Sequence, residues 1–203
     1  MANYIRRRKF LATLGGAVTW PLAARAQQAA MPVVGFLNSA SADGYAPMAS
    51  AFRQGLKEIG YVEGSNVVIE YRWAENQYDR LPALAADLVS RRVTAIFANS
   101  PSVAAVKGLT TTIPIVFLSG DDPVRLGFVA SLNRPGGNVT GVNIFSGETA
   151  TKRLDLLREL VPHASKIAIL INTDFTASIR FRDDVEAAAP MLGLTTERAV
   201  GER

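Results

Sequence analysis

Two kinds of apolar pattern alternate along most of this chain. Short strand-like segments of five to eight residues, of which Pro32 to Leu37 is a continuous apolar run, are separated by stretches in which apolar residues recur at helical spacing. A continuous run bounded by turn residues is the signature of a strand buried on both faces, and the three-to-four spacing is that of an amphipathic helix. The runs predict strands over 32–37, 66–72, 94–98, 114–118, 138–145, 166–171 and 195–200. Between them, helices are expected over 43–59, 78–92, 101–109, 123–131, 148–160 and 176–192. Phe52, Leu56 and Ile59 share one stripe of the first helix, and Leu81, Leu84, Ala85, Leu88 and Val89 share one of the second. Gly60 and Gly193 stand where helices stop. Strands that alternate with helices imply a parallel sheet in an α/β fold.

The same pattern divides the chain. Residues 27–139 hold enough strands and helices for a Rossmann-like α/β lobe. Residues 140–203 hold two helices and two strands of their own, too few to build and cover a sheet. They are expected to be the front part of a second α/β lobe, incomplete here.

The first 26 residues follow neither pattern. Arg6-Arg7-Arg8-Lys9 precedes a mildly apolar stretch over 12–24, which ends in Ala24-Arg25-Ala26. A basic region, a short apolar region and a small-x-small site, in that order, make an export signal cleaved after Ala26. Arg7-Arg8-Lys9-Phe10-Leu11 is similar to the twin-arginine type, although Arg6 stands where Ser or Thr is usual. The stretch is short of the roughly 20 apolar residues a membrane anchor needs, and it contains Gly15, Gly16 and Pro21. Export points to the periplasm of a two-membrane bacterium, or to the cell surface where there is one membrane.

Removing that segment changes the charge. The whole chain has 22 Lys and Arg against 18 Asp and Glu. Five of the basic residues and none of the acidic ones lie in 1–26, which leaves 17 against 18, a net of −1. The basic balance belongs to the leader, so nothing argues for nucleic acid as a partner. Cysteine is absent, which excludes thiol nucleophiles, thiolate metal sites and iron–sulfur clusters.

Candidate chemistry follows from the fold class. In open parallel sheets, ligands bind beyond the carboxyl ends of the strands. That rule selects the loops Asn38-Ser39-Ala40-Ser41, Asn99-Ser100-Pro101-Ser102 and Ser119-Gly120-Asp121-Asp122-Pro123. Helix N-termini and the amides and hydroxyls of these loops suit a carboxylate. Asp121 suits an ammonium. The same residue types are also preferred helix caps and turn formers, so each has a purely structural alternative. Asn38, Ser39, Asn99, Ser100, Ser119 and Asp121 are the expected ligand contacts. Tyr45 is placed either to stack on an aromatic ligand or to pack at the start of the first helix. His163, the only histidine, falls at the opposite sheet edge. Asp121 and Asp122, as neighbours in an extended segment, point apart and do not make a metal pair. No catalytic constellation, metal or cofactor is expected, and the chain is read as a monomer.

Several segments carry a resemblance. They are Phe52 to Tyr61 followed by Gly64 to Val68, Leu81 to Val89, Thr112 to Phe117, Asp122-Pro123-Val124, Leu132 to Gly141, and Lys152 to Pro162. Together they resemble the exported ABC-transporter substrate-binding proteins that include tryptophan- and tyrosine-type binding components. The resemblance runs from about residue 32 to the end. It implies a periplasmic-binding-protein-like fold of two Rossmann-like lobes, a small-molecule ligand in the cleft between them, hinge closure, and delivery to an ABC permease in the membrane. An amino acid or similar zwitterion is the implied ligand class. Members of that family are longer, so the chain is expected to lack most of the second lobe and to bind weakly. A ligand-sensing module and a carboxylate-dependent periplasmic enzyme on the same scaffold remain alternatives.

Overall fold

The computed structural model describes residues 31–144, 149–173 and 176–200. The export signal expected over 1–26 lies outside them.

Five parallel strands form the main sheet: β1 (Val33–Asn38), β2 (Val68–Trp73), β3 (Ala95–Asn99), β4 (Ile115–Ser119) and β5 (Val139–Asn143), in the order β2-β1-β3-β4-β5. Helices α1 (Ala46–Glu58), α2 (Leu81–Ser90) and α3 (Ser100–Lys107) lie between the first four strands in sequence. Two further helices, α4 (Ala150–Leu160) and α5 (Thr176–Ala188), accompany a second sheet of two parallel strands, β6 (Lys166–Ile171) and β7 (Thr195–Val200). β5 pairs with β4 along its whole length. The main sheet therefore closes at Asn143, four residues beyond the expected lobe boundary at 139.

Alternation along the strands sends side chains to two cores. On one face Leu37, Ile96, Ala98, Ile115, Phe117 and Val139 meet Leu81, Ala85 and Leu88 of α2 and Val103 and Val106 of α3. On the other face Phe36 and Ile69 meet Ala49 of α1, with Tyr45, Phe52, Tyr71, Trp73 and Phe97 around them. Thus α1 covers one face, and α2 and α3 cover the other. A separate cluster of Ala150, Leu154, Ile169, Val185, Ala188, Ala189 and Leu194 holds the second sheet to its helices.

Three expected helices differ in detail, each for a backbone reason. The helix expected over 78–92 opens as a 3-10 turn, Tyr78–Arg80, in which the Leu81 N–H bonds the Tyr78 carbonyl. Pro82 has no N–H to reach that carbonyl from the α position. The helix expected over 176–192 changes to a 3-10 turn, Ala189–Leu192, and Pro190 lies within that turn. Over 123–131 no helix forms. One turn closes, with the Leu126 N–H on the Asp122 carbonyl and the Phe128 N–H on the Pro123 carbonyl. Gly127 then adopts φ +70°, and the chain leaves helical space. The Lys107 ammonium donates to the Gly127 carbonyl, tying that turn to the end of α3.

Candidate ligand-binding site

The strand order places a switch point between β1 and β3. From β1 the chain crosses to β2 on one side of the sheet, and from β2 it crosses to β3 on the other. Loops leaving the carboxyl ends of β1 and β3 therefore part, and a crevice opens between them.

Asn99 spans that crevice. Its Nδ2 donates to Ser39 Oγ at 2.8 Å, and its Oδ1 accepts from the Ser39 backbone N–H at 3.2 Å. The same oxygen accepts from Ser102 Oγ at 2.5 Å. Asn99 stands at the N-cap of α3, yet its side chain bonds no backbone N–H of that helix. The first-turn N–H groups are thus left without a side-chain cap at the sheet edge.

The loop after β4 joins the same network. Ser100 Oγ and Ser119 Oγ lie 2.8 Å apart. Ser119 Oγ donates to the Asp121 carbonyl at 2.8 Å and accepts the Asp121 N–H at 3.2 Å. Ser100, Ser102 and Ser119 are buried. Asp122 caps the following turn, accepting the Val124 N–H at 2.8 Å.

Asn38 ends β1 and is fully buried. Its Oδ1 accepts the Ala40 N–H at 2.9 Å, which fixes the orientation of the amide. Its Nδ2 has no hydrogen-bond partner. The group beside it is the Tyr45 hydroxyl. Burial pushes that phenol above its ordinary range, and the Asn38 amide pulls it back in part.

Asp121 is half-buried, and burial pushes its carboxyl above the usual carboxylate range. Arg125 and Arg180 oppose that shift, and Asp184 adds to it. Arg180 and Asp184 both belong to α5. Arg180 donates to the Arg125 carbonyl at 3.1 Å, and Arg125 meets Asp184 at 3.8 Å. Helix α5 thus reaches back to the loop after β4, and it brings two charges that strand-end reasoning does not select.

All six expected loop residues therefore meet at one edge, with Tyr45 beside Asn38. The hydroxyls and amides of Ser39, Asn99, Ser100 and Ser119 are largely engaged with one another. What that leaves is the start of α3, without a side-chain cap, and the half-buried Asp121 carboxyl. A fourth loop, after β2, belongs to the same edge. Ala74 N–H bonds the Asn38 carbonyl at 2.9 Å, and Asn76 N–H bonds the Ser39 carbonyl at 2.8 Å. Glu75 and Asn76 are both left-handed, with φ 55° and 61°. The rule that selects the other loops applies equally after β2; this loop lacks only the Ser and Asn run that marks them. His163 is exposed in the turn between α4 and β6.

Known proteins share this fold. The chain is 36% identical over 123 residues to a tyrosine-binding protein of Clostridioides difficile, a match that covers 60% of this chain and 35% of that protein. The solved ABC domain of Streptococcus pneumoniae in complex with L-Trp superposes with a TM-score of 0.74 at 23% identity. A conserved domain protein of Vibrio cholerae superposes with a TM-score of 0.77 at 24% identity. Each superposition covers 85% of this chain and 58% of the solved one. The chain thus spans well under two thirds of these relatives' lengths. The fold is α/β and periplasmic-binding-protein-like. The family model for ABC transporter substrate binding proteins matches residues 33–202, and the chain belongs to that family.

Proposed function

We propose that this chain captures an amino acid at the polar edge of its main sheet, as the solute-binding component of an ABC importer. The observation that carries this reading is the convergence of four strand-end loops at the β1/β3 switch point, tied across it by Asn99. Uncapped N–H groups at the start of α3 suit the ligand carboxylate. The desolvated carboxyl of Asp121 suits its ammonium, because a charge held away from water gains most from an opposite partner. The names of two relatives, one tyrosine-binding and one solved with L-Trp, support the ligand class.

The mechanism is capture without bond-making. The ligand is bound, water is excluded around it, and a membrane permease is the partner that receives it. The chain acts as a monomer outside the cytoplasm, exported through the twin-arginine-type segment that ends at Ala26. Replacing Arg7 and Arg8 with Lys is expected to hold the precursor in the cytoplasm. Undiminished export of that double variant, read by cell fractionation, would remove the twin-arginine assignment.

Asp121 tests the binding reading. Its carboxyl is raised, so the folded state holds the proton more tightly than the unfolded chain. Any contribution to stability is present at low pH and is lost as pH rises through the unfolded and then the folded pKa. At neutral pH the ionised, half-buried group is a burden on the fold. Asp121→Asn is therefore expected to leave thermal stability at neutral pH unchanged or higher while weakening amino-acid binding about tenfold or more. Calorimetry and thermal unfolding on the same samples separate the two effects. Unchanged affinity would take Asp121 out of the site.

A further inference from the structure

The two sheets have separate buried cores, and polar side chains tie one to the other. On the β2 side of the crevice, Asn172, just past β6, donates from Nδ2 to the Tyr78 hydroxyl at 3.3 Å. On the β4 side, α5 meets the turn that follows Asp121. Arg180 Nη1 donates to the Arg125 carbonyl at 3.1 Å, and Arg125 Nη1 lies 3.8 Å from Asp184 Oδ2. The ties thus stand on either side of the switch point between β1 and β3. Polar ties between separate cores make the kind of junction about which parts of a protein move.

The tie on the β4 side is loose. A bond from guanidinium to carboxylate normally spans about 2.7–2.9 Å. Arg198 and Glu186 reach 2.9 Å in this chain, whereas Arg125 and Asp184 stay at 3.8 Å. Both residues of the loose pair are exposed, so solvent weakens their attraction. Arg125 also has a second carboxylate to answer to. It attracts Asp121, as Arg180 does, while Asp184 repels Asp121. The Asp121 carboxylate accepts no hydrogen bond among the described residues. One guanidinium is therefore divided between the site and α5.

We propose that Arg125 is a positioning residue shared between Asp121 and Asp184, and that a ligand ammonium on Asp121 releases it to Asp184 and draws α5 onto the site. The proposal rests on the amino-acid reading above and adds what couples the ligand's charge to the position of the second sheet. An ammonium that neutralises Asp121 removes the pull on Arg125, and the guanidinium closes on the one partner left to it. The bond from Arg180 to the Arg125 carbonyl keeps α5 within reach meanwhile, and the bond between Asn172 and Tyr78 holds the far side as a pivot. A ligand with a carboxylate but no ammonium leaves Arg125 divided. Closing an exposed ion pair of this kind changes an equilibrium about fivefold.

The chain has no cysteine, so Gly55→Cys and Leu160→Cys place two spin labels uniquely, one on α1 and one on α4. Both positions are exposed, and a side chain at 55 meets nothing within 4 Å. L-phenylalanine and 3-phenylpropanoate differ only in the ammonium. At saturation, L-phenylalanine is expected to narrow the spread of label-to-label distances in the full chain, and 3-phenylpropanoate is expected to leave it broad. By calorimetry, Asp184→Asn is expected to lower the preference for L-phenylalanine over 3-phenylpropanoate about fivefold and to abolish the narrowing. Asp184→Glu keeps the charge and is expected to restore both. Circular dichroism confirms that each variant is folded, and if Asp184→Asn is not, the comparison of the two ligands on the labelled parent decides. Equal narrowing with both ligands, or none with either, overturns the proposal, as does a preference that Asp184→Asn leaves intact. Those results leave amino-acid capture standing. Failure of L-phenylalanine to bind at all overturns both.

Discussion

Phe36→Ala is expected to destabilise the chain by about 3–5 kcal/mol, the range for removing a fully buried aromatic ring. Phe36 is 0% exposed, and five rings surround it. Their centroids lie at 4.8 Å for Phe97, 5.2 Å for Phe52, 5.3 Å for Tyr71 and Trp73, and 6.3 Å for Tyr45. Aromatic neighbours are bulky and have few rotamers, so they do not collapse into the space left behind. The lost area and the residual cavity both count. Urea unfolding followed by circular dichroism measures the change as a shift in midpoint at constant slope. A loss under about 1 kcal/mol would mean that the α1 face of the sheet is not closed by this ring cluster.

Asn99→Ala is expected to cost about 2–4 kcal/mol and most of the binding. The side chain makes three hydrogen bonds, two to Ser39 and one to Ser102. Deleting it leaves the Ser39 N–H and a fully buried Ser102 hydroxyl without partners, and each such orphan costs about 1–3 kcal/mol. Partial relaxation keeps the total below the sum. Asn99→Asp keeps both acceptor bonds and lets Ser39 Oγ turn round to donate, so it is expected to be milder. Ser102→Ala loses one bond and is expected to cost about 1 kcal/mol. That order among the three variants, read by chemical unfolding, distinguishes a tie across the crevice from an ordinary surface asparagine. Equal, small effects would contradict it.

Several strands were legible as short apolar runs bounded by turn residues, and β6 falls at 166–171 where its run puts it. β7 falls at the expected 195–200 although Thr195 to Arg198 are polar, because it follows the helix stop at Gly193. Which sheet a strand joins is a different matter. Nothing in the Val139–Asn143 sequence distinguishes pairing with β4 from membership of the second sheet, because both leave the same apolar pattern. The turn at Pro123–Gly127 has the composition of a helix start, and it fails through the backbone of Gly127 rather than through any polar residue. At the site, the rule of strand ends recovers the right edge from sequence. It cannot show that Asn99 bonds Ser39, sixty residues away, or that Ser100 meets Ser119. Those contacts exist only once β1, β3 and β4 are adjacent. The loop after β2 was missed because its left-handed residues are Glu75 and Asn76, with no glycine to signal a turn. Arg180 and Asp184 lie on a helix expected to belong to another lobe, so no local pattern links them to Asp121.

The central claim is that the carboxyl edge of the main sheet binds an amino acid. Its most direct test is a titration of the isotopically labelled chain with L-phenylalanine, followed residue by residue through the backbone amide resonances. The account predicts that the shifts which move lie in 38–41, 73–77, 99–102 and 119–123, with Asp121 among them. Shifts confined to the opposite edge, around 61–66, 91–94 and 108–114, or none at any attainable concentration, would contradict it.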